Sequence, residues 1–229
     1  MMPLRIFIGW DSREVAAFHV LSHSIITRAR RPVAITPLVR NQLDVVYARP
    51  RGETESTEFS LTRFLVPYLT GYEGWSVFMD CDMLCLADMT DLMLNMSFES
   101  DKAVVCCQHQ YTPSTVTKMD GQIQTVYPRK NWSSLMLFNG PRCKALTPVY
   151  VNGATGLELH RFAWLRDEEI GSLPLEWNWL QGEYPDNPNA RILHYTLGGP
   201  WFEGYRDCPG ADKWYTEAEA AGVRIGATV

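Results

Sequence analysis

The tripeptide Asp80-Cys81-Asp82 is the sharpest chemical feature of this sequence, and it follows directly on the apolar run Trp75-Ser76-Val77-Phe78-Met79. Side chains two apart on an extended segment point the same way, so both carboxylates face one side and Cys81 the other. Two carboxylates at the end of a buried strand repel each other, and a divalent cation relieves that repulsion. The tripeptide alone is weak: a chain of this length with 12 aspartates holds about 0.6 such matches by chance. Its location carries more weight. Open α/β sheets bind ligands at the carboxyl ends of their strands, which favours a metal role for Asp80 and Asp82 over a solvated turn.

A second group of residues lies far along the chain. His194 ends the apolar stretch Arg191-Ile192-Leu193 and precedes Tyr195-Thr196-Leu197-Gly198-Gly199-Pro200-Trp201. A lone histidine is more often a hydrogen-bonded surface or core residue than a ligand. The adjacent Gly198 and Gly199, however, let backbone N–H groups come close to an anion such as a phosphate. Carboxylates with one imidazole suit Mn²⁺ better than Mg²⁺, which prefers oxygen alone.

The pattern of the chain supplies elements to carry these residues. Leu4–Ile8 reads as a strand covered on both faces, and Asp11-Ser12-Arg13-Glu14 as a capping box with Asp11 at the N-cap. The helix behind it turns Val15, Phe18, Ser22, Ile25 and Ile26 to one face. Val33–Val39 is a second strand, cut short by Pro37, and Glu58–Leu69 a second helix. Trp75–Met79 is the third strand, Asp88–Met96 a short helix, and Lys102–Cys107 and Trp132–Phe138 two more strands. Between these two strands lies a polar loop with His109, Thr112 and Pro113. Thr155–Arg166 is the best later helix, Arg191–Tyr195 a late strand, and Ala211–Ala221 a last short helix. Strand–helix alternation at the start predicts an α/β fold whose central sheet is mostly parallel and flanked by helices.

Composition narrows the function classes. The 229 residues carry a formal charge of −5 and are 46% hydrophobic, which excludes a disordered chain. No linker divides the chain, so a single domain is expected over residues 1–229. A mildly acidic chain without a long Lys/Arg cluster argues against nucleic-acid binding. No apolar run reaches the roughly 18 residues of a membrane span. The six cysteines form no CxxC and no staple framework, so reduced, buried thiols in a cytoplasmic protein are expected.

Three segments in order resemble the donor half of the family 8 glycosyltransferases: Phe59-Ser60-Leu61-Thr62-Arg63-Phe64, Val77-Phe78-Met79-Asp80-Cys81-Asp82 and Asp88-Met89-Thr90-Asp91-Leu92. Further matches are Ser134-Leu135-Met136-Leu137-Phe138-Asn139, Leu173-Pro174 with Asn178, and His194…Gly198-Gly199-Pro200-Trp201. The resemblance implies a GT-A fold, a nucleotide-sugar donor, a UDP-sugar by preference, and Mn²⁺ (or Mg²⁺) held by Asp80, Asp82 and His194. It places Ile8, Gly9 and Asp11 beside the nucleotide base, Arg63 near the donor sugar and diphosphate, and Gly198 and Gly199 in the diphosphate turn. Cys81 lies within the same nucleotide-binding segment but faces away from both aspartates, as a packing residue.

By the same resemblance, residues 1–100 form the nucleotide-sugar half, 101–203 the metal and acceptor half, and 204–229 a tail. Asn131 or Trp132 takes the place of a sugar-contacting Asn, and the family's Asp-Gln pair falls at Ala154-Thr155 or near Glu158. Asn131 and Glu158 are thus the catalytic candidates. Gly199 stands where the family has a Lys, and Ser134 where it has a Gly. The acceptor is an unspecified glycan, lipid or protein. Trp164, Trp177, Trp179, Tyr195 and Trp201 read as core packing, with stacking on an acceptor sugar as the alternative. Two rival functions remain: a nucleotide-sugar-binding protein without transfer activity, favoured by the missing Lys and Asp-Gln pair, and a metal-dependent phosphohydrolase.

Overall fold

In the computed structural model, residues 2–52, 55–113, 117–118, 122–123 and 128–224 are described. The strands are β1 (Leu4–Gly9), β2 (Val33–Leu38), β3 (Trp75–Met79), β4 (Met83–Cys85), β5 (Val104–Cys107), β6 (Thr117–Lys118), β7 (Gln122–Ile123), β8 (Leu135–Asn139), β9 (Ile170–Leu173), β10 (Trp179–Leu180) and β11 (Ile192–His194). The α-helices are α1 (Val15–Arg28), α2 (Val66–Leu69), α3 (Leu92–Phe98), α4 (Pro148–Gly153), α5 (Gly156–His160) and α6 (Ala211–Ala220).

The main sheet has the order β2-β1-β3-β8-β5-β9, and only β8 runs against the others. This is the mixed α/β, mostly parallel architecture expected from the alternation of elements. A second sheet, β10-β11-β4, stands beside it, and β6 pairs with β7. The interior of the main sheet reads as unbroken apolar sequence because both faces are covered: Ile6, Ile8, Val77, Phe78, Met79, Leu135, Met136 and Leu137 are fully buried. A smaller apolar cluster of Val20, Leu84, Leu193, Tyr195 and Trp214 lies under the second sheet.

The helix α1 differs from its expected face. Val15 and Ile26 are exposed, and the buried residues are Ala17, Phe18, Val20, Leu21, Ser24 and Ile25. The helix serves both clusters, Phe18, Leu21 and Ile25 in the larger and Val20 in the smaller, so its apolar stripe is wider than a single-core reading allows. The expected capping box is also absent: Glu14 is the N-cap and makes no side-chain cap bond. Asp11 instead binds Arg13 and the amide of Glu58.

Pro37 does not end β2. It pairs in register with Ile8, and β2 is an edge strand, where a missing N–H removes no ladder bond. The helix expected over Glu58–Leu69 is a 3-10 turn at Thr62–Leu65 followed by α2, because Pro67 has no N–H for a bond back to Arg63 and can sit only in a first turn. The helix expected over Thr155–Arg166 closes at His160. Thr155 and Glu158 form its capping box, and Phe162 at φ 55° has left the helical region.

Six free cysteines are present, and five of them are buried. Among the described residues no helix is long and apolar enough to cross a membrane.

Asp88 caps the 3-10 turn that opens α3 and holds Arg30 at 2.7 Å. Burial pushes its carboxyl up, but hydrogen bonds from Arg30 and Thr90 outweigh burial and lower the pKa from 3.8 to about 2. A lowered folded-state pKa means stability that is present above the unfolded value and lost as pH falls through the folded one. Denaturant titrations between pH 4 and 2 should therefore show a loss of stability that is shallower in Asp88→Asn, which cannot titrate.

Candidate functional site

The two sheets meet at the sequence between β3 and β4, and that junction holds Asp80 and Asp82. The amide of Asp80 donates to Ser134 O at 2.9 Å, which continues the β3–β8 pairing past Met79↔Leu135. The carbonyl of Asp82 accepts from Tyr195 N at 2.9 Å, which continues the β4–β11 pairing past Met83↔His194. One aspartate is thus tied to the main sheet and the other to the second. Cys81 between them is fully buried, and burial together with the carboxylates around it pushes its thiol well up, so it packs rather than reacts.

His194 reaches the pair from β11. One carboxylate oxygen from each aspartate and one ring nitrogen of His194 lie within 4.8 Å of one another. His194 Nε2 is 3.3 Å from Asp82 Oδ1, close to the ~3 Å between neighbouring ligands on one cation with bonds of about 2.1 Å. The imidazole is oriented from behind. Its Nδ1 lies 2.9 Å from Asn178 Oδ1, and Asn178 Nδ2 donates to Ser134 Oγ at 2.8 Å. Ser134 Oγ donates in turn to Asn131 O at 2.7 Å. A backbone carbonyl can only accept, so the direction of the whole relay is set from that end: the Nδ1 proton goes to Asn178, and the Nε2 lone pair faces Asp82.

Arg63 sits on the other side. It is 5% exposed, and its guanidinium lies 2.7 Å from Asp80 Oδ1 and donates to Ser133 O at 2.9 Å. The rings of Phe59 and Phe78 face it at 5.2 and 4.8 Å. This buried cation offsets part of the repulsion between the carboxylates.

The remaining expected residues are spread around this centre. Ile8 and Gly9 end β1 beside β3, with Ile8 opposite Met79. The Phe59 ring lies so close over Gly9 that any Cβ there would meet it at 2.4 Å. Asp11 is buried, and hydrogen bonds from Arg13 and the Glu58 amide hold its carboxyl below the usual range although burial pushes it up. Gly198 donates its N–H to Tyr195 O, and a Cβ on Gly199 would lie 2.1 Å from the Trp201 ring, so this turn is built around aromatic packing. Trp201 Nε1 then donates to Glu14 Oε2 at 3.2 Å, which joins the turn to the loop after β1.

Asn131, left-handed at φ 62°, donates through Nδ2 to Tyr111 Oη and Thr196 Oγ1. Glu158 is not brought to the centre by any contact of its carboxylate, which accepts from Thr155 N and Oγ1 in the α5 capping box. Tyr195, Trp177 and Trp201 pack in or against the cores, as the core reading has it. Sequence reasoning passed over Ser134 as a departure from a motif, and the hydroxyl that it has in place of glycine is the middle of the relay behind His194. His109, noted only as part of a polar loop, proves buried.

No family model matches this chain. Protein CDI of Arabidopsis thaliana is 51% identical to it over 227 residues, covering 95% of this chain and 86% of that protein. Among solved structures, the apo form of the bifunctional glycosyltransferase WbbM superposes with a TM-score of 0.60 at 15% identity, over 94% of this chain and 51% of that one. Glycosyltransferase GlyE of Streptococcus pneumoniae TIGR4 gives 0.59 at 12%, over 95% and 60%. Galactosyltransferase LgtC, in complex with donor and acceptor sugar analogs, gives 0.58 at 12%, over 99% and 97%. The chain therefore spans about half the WbbM chain and three fifths of the GlyE chain, and nearly all of LgtC. These likenesses establish a GT-A fold.

The relay makes a definite prediction. Asn178→Ala should weaken divalent-cation binding about tenfold or more, the usual consequence of freeing the far nitrogen of a ligand histidine. Free Mn²⁺ counted by electron paramagnetic resonance against protein concentration measures it; an affinity equal to the parent's would show that Asn178 does not orient His194.

Proposed function

The chain belongs to the Protein CDI family and carries a GT-A fold, and we propose that it is a metal-dependent glycosyltransferase that moves a sugar from UDP to a glycan, lipid or protein acceptor. The observation that carries this reading is the convergence of Asp80, Asp82 and His194 at the carboxyl end of β3, within 4.8 Å of one another. Two carboxylates and one imidazole suit Mn²⁺, with Mg²⁺ second. When bound, that ion neutralises the diphosphate and stabilises the charge that the leaving nucleotide acquires.

The chain's own residues supply position. Asp80 and Asp82 hold their carboxylates from two different sheets, and Asn178 aims His194 between them. Arg63 fixes the Asp80 carboxylate through Oδ1. The ends of β1 and β3 form the crevice for the nucleotide, with Ile8, Gly9 and Asp11 on its wall. Gly198 and Gly199 complete the diphosphate side, and residues 101–203 carry the acceptor side. Five buried free thiols support a reducing compartment such as the cytoplasm.

A second reading, nucleotide-sugar binding without transfer, draws support from Glu158, whose carboxylate is occupied in a capping box. Release of UDP from a UDP-sugar, slow with water and faster with an acceptor, belongs to the enzyme and not to a binding protein.

Calorimetry with UDP should show binding with Mn²⁺ and none in excess chelator; equal binding in chelator would remove the metal bridge. Asp82→Asn keeps shape but loses the charge that balances the cation, and should weaken UDP binding by roughly 2–4 kcal/mol. His194→Ala should weaken it less, since water can replace a neutral ligand. Parent-like binding by Asp82→Asn, with loss in Asp88→Asn or Asp91→Asn, would move the site off this centre.

A further inference from the structure

We propose that His109 recognises the transferred sugar, with its Nε2 hydrogen-bonded to a hydroxyl of the donor's hexose. The proposal rests on the reading of the site given above.

His109 is 4% exposed and stands on the loop that leaves β5. Its other polar atoms are engaged: Nδ1 lies 3.0 Å from Tyr184 Oη, and its carbonyl accepts from Trp132 Nε1 at 2.9 Å. Nε2 is buried and has no hydrogen-bond partner among the described residues. A buried imidazole nitrogen left alone is costly, and such groups normally have a partner of some kind. The cluster of Asp80, Asp82 and His194 does not use it.

Position says what that partner is. The main sheet places β1 next to β3, then β8, then β5. The chain leaves β1 for β2 on one side and later returns to β3 on the other, so the crevice between β1 and β3 is the switch point where open sheets take nucleotides. The carboxylates follow β3 and would mark the diphosphate. Whatever is joined to the far phosphate then lies toward β8 and β5, and His109 follows β5. His194 is near enough to act on His109 electrostatically.

The surroundings match a sugar. The rings of Tyr111 and Tyr184 flank His109 at 6.4 and 5.8 Å, and Asn131 joins the hydroxyls of Tyr111 and Thr196 close by. Ring faces interleaved with hydroxyls and an amide suit a molecule with apolar C–H faces and polar edges. Burial above all, with His194 nearby, pushes the His109 pKa down to about 3, so the imidazole is neutral. Depending on which nitrogen bears the proton, Nε2 donates or accepts, and a hydroxyl serves either role.

Calorimetric titrations with Mn²⁺ compare UDP, UDP-glucose and UDP-galactose on the parent, His109→Ala, His109→Gln and Tyr184→Phe. His109→Ala should keep UDP affinity within about twofold of the parent and lose about tenfold for the UDP-hexose that the parent prefers, the effect of one buried hydrogen bond. His109→Gln, which still offers a polar group near that point, should recover part of the loss. Tyr184→Phe should lose less than His109→Ala, because it frees the ring without removing it. An unchanged UDP-hexose affinity would mean that water satisfies Nε2, and an equal loss for UDP and UDP-hexose would make His109 a support of the metal cluster; either overturns the proposal. Should the parent bind no UDP with Mn²⁺, the reading of the site fails, and this result is distinct from the other two.

Discussion

Electrostatic repulsion between two aspartates at the junction of two sheets is the constraint around which this molecule is arranged. Asp80 and Asp82 are held in place by backbone bonds to Ser134 and Tyr195, so neither can move aside without breaking a strand pairing. The surrounding structure offsets part of the repulsion on one flank, through the Arg63 guanidinium. Arg63 comes in from the turn before α2, sandwiched by Phe59 and Phe78, and His194 comes in from β11. The cation proposed between the carboxylates would offset more of that repulsion.

The second sheet explains how residues more than a hundred positions apart meet. Its strands are only two or three residues long, and its apolar cluster is small. Yet β4 follows Asp82 immediately and β11 ends on His194, so their antiparallel register sets the distance between ligand atoms directly. Behind it, the hydrogen-bond relay through Asn178 and Ser134 to Asn131 has one possible direction, because it ends on a carbonyl. Such a relay also joins the imidazole to the residues around His109 through Asn131, Tyr111 and Thr196. The proposed metal side and the proposed sugar side of the site are therefore parts of one polar network.

A third tie joins the two ends of the chain. Trp201 packs between Tyr195 and Trp214 and reaches Glu14 in the loop after β1. Gly199 is needed because the Trp201 ring occupies the space of a side chain there, and Gly9 because the Phe59 ring does so at the end of β1. In both the requirement comes from a ring approaching the backbone.

Much of this was legible in the residues themselves. The unbroken apolar runs marked β1, β3 and β5, because a strand buried on both faces has no alternation to hide. Asp80 and Asp82 stood out by following such a run, and His194 by ending another. What depended on partners distant in sequence was not legible. The true face of α1 depends on two cores, the placing of Pro37 on β2 being an edge strand, and the early end of α5 on a left-handed Phe162. Ser134 looked like a lost glycine, and His109 like one polar residue among several. A hydroxyl in a relay and a buried nitrogen without a partner are properties of what surrounds a side chain. Local sequence determines which strands form and where charge collects at their ends; only the tertiary structure, by setting register between short strands far apart in the chain, decides which of those charges meet.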